Sequence, residues 1–311
     1  MKKLRYLSIL VIIIIVGLAL AFLLSNPETI PPFSNAMLMT AVPLILGIFL
    51  AARLKASWRI YGIGATAFIA SQILHIPFNR YILLPALNLL GTGQILYAVM
   101  VGFSAGIFEE TARWIAYRKY LPKMRSWAGG LMYGAGHGGI EAIILGTVTL
   151  YIFLQMLVLR DLSPENLKVM VGADSVDATQ VYLAAYWGAP WYASLLGAME
   201  RISAIMFHLA ASLLVLMAVQ RRNPVWYAAA VAWHTAINAV AVYAAKSLSI
   251  YQTEGLIFLF GLLSLGIVFT LRSAFLLEEE PGLQTAQALP VITPINNLEI
   301  SKNSLEDSRY D

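Results

Sequence analysis

The stretch Ala128–Leu159, AGGLMYGAGHGGIEAIILGTVTLYIFLQMLVL, contains only two side chains able to carry charge near neutral pH, His137 and Glu141. At about 1.5 Å per residue, roughly 20 apolar residues cross the hydrocarbon core of a bilayer, so this run reads as one spanning helix with room to spare. Gly134, Gly136, Gly138 and Gly139 surround the imidazole. Their spacing contains the small-xxx-small pattern that lets a second helix approach closely. An ionisable residue held inside such a helix is a functional candidate by default.

Working outward, apolar runs recur at Leu7–Leu24, Ala36–Ala52, Ile60–Phe78, Gln94–Tyr117, Trp191–Val219, Val225–Ala245 and Leu256–Leu271. With the first run this makes about eight spans, and the expected fold class is an all-α polytopic transmembrane bundle. Composition agrees: 59% of residues are hydrophobic and 12% are charged, against roughly 25% charged in a soluble domain. The run after Met1–Arg5 is read as a spanning helix rather than a signal peptide, because it is long and lacks an A-x-A cleavage site.

Lys2, Lys3 and Arg5, then Arg53, Lys55 and Arg59, then Arg118, Lys119, Lys123 and Arg125, then Arg221 and Arg222 fall on alternate loops. By the positive-inside rule these loops are cytoplasmic, and both termini with them. The net charge of +4 is explained by that asymmetry, and no basic stripe with interleaved aromatics points to nucleic acid. Residues 1–276 read as the integral membrane domain, with its core at 94–245. Residues 277–311 read as a polar, disordered tail. In the long outer loop, Ser163-Pro164-Glu165 has the cap, first-turn proline and acid of a short surface helix. Tyr182, Tyr186, Trp187, Trp191 and Tyr192 read as an interfacial aromatic belt, with a substrate vestibule as the alternative.

Three further polar islands accompany the first: Glu109-Glu110-Thr111-Ala112-Arg113, Glu200-Arg201 with His208, and His234-Thr235-Ala236-Ile237-Asn238. Counted from the basic loops, Glu109, Glu110, His137, His208 and His234 lie at similar depths, roughly 12 to 17 Å. A closed cluster on the cytoplasmic side of the bilayer centre is therefore expected. Cysteine is absent, so a transition-metal site must use His, Glu, Asp and Asn. The candidate metal ligands are His137, His208 and His234; the candidate catalytic residues are Glu109, Glu110, Arg113 and Asn238.

Glu109 and Arg113 are four apart and share a helix face, which assigns Arg113 to Glu109 and frees Glu110 for another task. The plainer alternative is a structural ion pair. His234 and Asn238 are likewise four apart and can supply an imidazole and an amide to one place, although a lone membrane histidine more often serves helix packing. Glu200 and Arg201 are expected to pair with each other or with Glu141. His75, in Gln72-Ile73-Leu74-His75, reads as structural or gating.

In this order, Phe108-Glu109-Glu110-Thr111-Ala112-Arg113, Tyr133 to Glu141, Glu200-Arg201 with His208, and Trp233 to Asn238 resemble the YhfC-type intramembrane metalloproteases, related to type II CAAX prenyl proteases and bacteriocin-processing enzymes. The resemblance covers about 72–238. It implies that Glu109 or Glu110 activates a water, that His137 and His234 hold the metal or its water, and that Asn238 stabilises the oxyanion. Arg113 stands one residue closer than in the wider superfamily's motif, and Tyr133 replaces a phenylalanine.

The expected activity is a metal-dependent endopeptidase of a prokaryotic cytoplasmic membrane, using a divalent metal, zinc by expectation, and a glutamate-activated, metal-bound water. The expected partners are a membrane-embedded or membrane-associated peptide substrate and the lipid bilayer. Hydrolysis at this depth requires a water-filled cavity, expected on the cytoplasmic side between the fourth to seventh spans. Two rivals are a proton- or cation-coupled transporter and a non-catalytic membrane partner or immunity protein.

Overall fold

A computed structural model describes residues 21–124 and 126–279. All but the last residues of the expected first span, and the tail beyond Glu279, lie outside the described residues. The described chain is all helical, and seven of its helices are long and apolar enough to cross a membrane. These correspond to the second to eighth expected spans.

In chain order the elements are α1 (Ile30–Leu54), α2 (Trp58–Phe78), α3 (Gln94–Ile115), α4 (Trp127–Arg160), the short α5 (Pro164–Val171) and α6 (Val176–Gly188), α7 (Leu196–Arg221), α8 (Pro224–Ser247) and α9 (Ile250–Glu279). Their starts follow local chemistry. Ser126 accepts the Gly129 amide to open α4, and Ser163 accepts the Asn166 amide, with Pro164 in the first turn of α5. Such caps satisfy amides that no helical carbonyl can reach. Pro77 near the end of α2 supplies no N–H, and the helix runs on through a π-turn, Asn79–Leu83, as expected where a proline disturbs the hydrogen-bond ladder.

The centre of the bundle is α7, of whose most apolar window 78% is buried inside the protein, against 22 to 39% for the other six. It packs against α4, α8, α9 and α1; α4 also packs against α1 and α2, and α3 against α8 and α2. Glycines permit the α4 contacts. A Cβ on Gly134 would come within 2.8 Å of Leu209 Cα in α7, and one on Gly136 within 2.8 Å of Tyr61 Cα in α2. Thus α4 is squeezed between two helices at the level of His137, which places the imidazole between them.

Below that level, toward the basic loops, the packing is dry. Tyr117 and Tyr133 meet ring to ring at 4.5 Å, and the Tyr117 hydroxyl donates to the Ser212 carbonyl at 3.0 Å. Both rings are fully buried with Met132, Leu213, Leu216 and Met217. Aromatic and aliphatic side chains in such contact exclude water.

Candidate functional site

Four helices bring Glu109, Glu110 and Arg113 (α3), His137 and Glu141 (α4), His208 (α7) and His234 (α8) into one buried cluster. Arg113 is wholly buried at its centre. It pairs directly with Glu110, while its Nη2 lies 3.9 Å from Glu109 Oε2. The spacing argument assigned it to Glu109, and the structure corrects this: residues three and four apart both share a helix face, so spacing alone does not choose between them. The second Arg113 nitrogen donates to His208 Nδ1 at 2.5 Å.

These contacts fix tautomers. A guanidinium can only donate, so His208 Nδ1 accepts and its Nε2 carries the proton, which it gives to Glu141 Oε2 at 2.7 Å. In the same way His234 donates Nδ1–H to Glu110 Oε1 at 2.7 Å, with Nε2 4.0 Å from Glu109 Oε1. A carboxylate behind an imidazole orients the ring and raises its basicity. His137 Nε2 lies 3.1 Å from Glu109 Oε2, and its buried Nδ1 has no hydrogen-bond partner.

The rings are held by aromatic contacts. Phe207 lies 4.8 Å from both His208 and His234, and Phe68 meets the His137 ring edge-on at 5.2 Å. A Cβ on Gly138 would come within 2.9 Å of His208 Cβ. The glycine therefore decides how near the two imidazoles stand, with centroids 5.2 Å apart.

A cavity of about 100 Å³ reaches this cluster, lined among others by Glu109, His208, His234, Asn238, Glu141 and Arg201. Glu110 and His137 are fully buried behind it. The remaining lining residues, including Glu200, Ala241 and Ile257, lie on the half of α7, α8 and α9 remote from the basic loops. The expected cytoplasmic-side access is thus corrected: the site opens away from the basic loops, because the Tyr117, Tyr133 and leucine–methionine layer fills the other direction. At the cavity, Arg201 donates to Glu141 at 2.6 Å and also pairs with Glu200.

Sequence reasoning gave Gln72 no role. Its amide donates to Glu109 Oε1 at 3.0 Å, and its carbonyl lies 3.4 Å from His75 Nδ1. The other His75 nitrogen contacts Ser104 at 3.1 Å and Asn79 at 2.9 Å. Its neighbour His75 was the available signal, since two polar residues on one apolar helix face rarely go unpartnered.

Glu109, His137 and His208 each offer a ligand atom, and the three atoms lie within 4.8 Å of one another. Ligands of one zinc ion stand roughly 3.4 Å apart, so the group can hold a divalent metal after small movements. The buried His137 Nδ1 has no hydrogen-bond partner, so that imidazole has a nitrogen to spare for a cation. His208 fits only by exchanging Arg113 or Glu141, since both its nitrogens are engaged. His234, expected as a ligand, stands outside this group of three and is held by Glu110.

A multi-pass membrane bundle that buries carboxylates, imidazoles and a guanidinium around a small polar cavity presents a functional-site candidate by default. Among known families, the model described as YhfC intramembrane metalloprotease matches residues 38–258, and the chain belongs to that family. The uncharacterized membrane protein YhfC of Bacillus subtilis (strain 168) is 31% identical over 207 residues, covering 65% of this chain and 79% of that protein. No solved structure matches significantly.

Proposed function

We propose that the chain is an intramembrane metal-dependent endopeptidase in which Glu109 is the proton acceptor. The observation that carries this reading is the division of labour between adjacent acids: Glu109 lines the cavity, whereas Glu110 is fully buried and spent on Arg113 and His234. A carboxylate with one oxygen beside His137 and the other held by Gln72 is oriented before any water arrives. It takes a proton from water in the cavity as that water attacks a peptide carbonyl, and returns it to the departing amine. Asn238, on the cavity wall, offers its amide to the oxyanion. Glu110 keeps His234 in one tautomer, and Arg113 offsets the charge of the two acids. His137 and, once released from Arg113 or Glu141, His208 would hold the cation beside Glu109, zinc by its preference for imidazole and carboxylate, which would polarise the water and the carbonyl when bound.

The test is cleavage of membrane-embedded peptides by the purified chain in lipid, with bound metal measured on the same samples. Glu109→Gln should lower cleavage by about 10²- to 10⁴-fold. Full cleavage by this variant would end the proposal and leave transport through the same polar core as the reading to pursue.

A further inference from the structure

Apart from the buried cluster, the bundle holds a larger cavity of about 900 Å³ at its basic-loop end, between the last turns of α3 and the turn joining α7 to α8. Its walls include Trp114, Tyr117 and Tyr227, its floor reaches Thr111, and Arg118 and Arg222 face it. The Thr111 and Tyr227 hydroxyls meet at 2.7 Å. None of the candidate catalytic or metal residues lines it, and Tyr117 separates it from His137's neighbour Tyr133.

Three features describe the occupant. The first is charge: two guanidinium groups line the cavity and no carboxylate lines it among the described residues, which suits an anionic occupant. Arg118 is also steadied over the Trp114 ring at 4.7 Å, which presents its fork in a defined place. The second is position. The cavity begins at Arg118 in the π-turn Ala116–Tyr120 that follows α3 and reaches inward to Thr111, roughly 10 Å along the helix, from the headgroup zone toward hydrocarbon. The third is size and lining, since aromatic walls and this volume far exceed what a free phosphate ion fills.

We propose that this cavity binds an anionic membrane phospholipid, with Arg118 and Arg222 gripping the phosphoryl oxygens and the aromatic rings lying against the glycerol and the first acyl carbons. Basic pockets between helices on the positively charged side of membrane proteins take such headgroups. The proposal is independent of any hydrolytic activity.

The experiment is thermal unfolding and native mass spectrometry of the full chain in detergent, with phosphatidylglycerol, phosphatidylcholine or inorganic phosphate added. Phosphatidylglycerol should raise Tm by several degrees and remain bound. The other two should not. In the Arg118→Gln/Arg222→Gln double variant, apparent affinity for phosphatidylglycerol should fall at least tenfold. If that variant does not fold, Arg118→Lys/Arg222→Lys is read instead, and its affinity should fall severalfold because ammonium groups lose the forked geometry. An equal shift from phosphatidylcholine overturns the proposal, as does unchanged affinity in the variant read. A shift reproduced by inorganic phosphate assigns the site to a free anion and overturns the lipid assignment.

Discussion

His234 of α8 donates its Nδ1 proton across 2.7 Å to Glu110 of α3, which is fully buried behind the cavity that His234 lines. This bond ties the two helices together and leaves the other ring nitrogen of His234 directed toward Glu109. Adjacent acids therefore have different tasks, and their variants should fail differently.

Glu109→Gln should keep the fold, since the amide still accepts from Gln72, and should lose cleavage. Glu110→Gln removes the charge that balances a buried arginine and should cost about 3–5 kcal/mol of stability. Comparing Tm with cleavage rate for the two variants checks this. Equal loss of stability in both would mean that Glu109 is as structural as its neighbour.

Arg113→Met should destabilise by a similar 3–5 kcal/mol, because it strands Glu110 in the core. Combining it with Glu110→Gln should recover part of that loss, as partners in one network are not additive. A double-mutant cycle on thermal unfolding in lipid measures the coupling. Strict additivity would contradict the pairing described.

For the metal, His137→Ala should abolish stoichiometric zinc binding measured by mass spectrometry, with little change in helicity. Gly138→Ala should weaken binding without removing any ligand side chain, because its new methyl group meets His208 Cβ at 2.9 Å and pushes that ring aside, and such overpacking costs about 1–3 kcal/mol. Zinc retained in both variants would move the metal elsewhere.

The absence of cysteine allows single introduced thiols to map water. Ala241→Cys, on the cavity wall, should react with a small polar reagent, whereas Met132→Cys, fully buried, should not. In intact cells the reaction at Ala241→Cys should come from the face opposite Arg221 and Arg222. Reaction only from the basic-loop face would reverse the access described here.

Depth counted along helices was enough to bring Glu109, Glu110, His137, His208 and His234 to one level, because helix rise is constant and the basic loops mark the ends. What depth does not carry is azimuth. A long guanidinium arm can serve both neighbours on its face, so spacing does not tell that Arg113 reaches Glu110 more closely than Glu109 while its other nitrogen meets His208 from another helix. Gln72 was missed for the same reason: its partner lies 37 positions away. The direction of the cavity depends on how Tyr117, Tyr133 and Leu213 interlock, which no periodicity in one helix reveals. The seven described spans and the short helix after Ser163 were legible because apolar length and capping are local properties.

The ring contact between Tyr117 and Tyr133 also bears on the cell's energy supply. Moving one elementary charge across 100 mV of membrane potential releases about 2.3 kcal/mol, and a chain of carboxylates and imidazoles wetted from both faces would conduct protons down that gradient. The close-packed Tyr117–Tyr133 layer lies between the buried cluster and the basic-loop cavity, and close packing of that kind opposes such a leak.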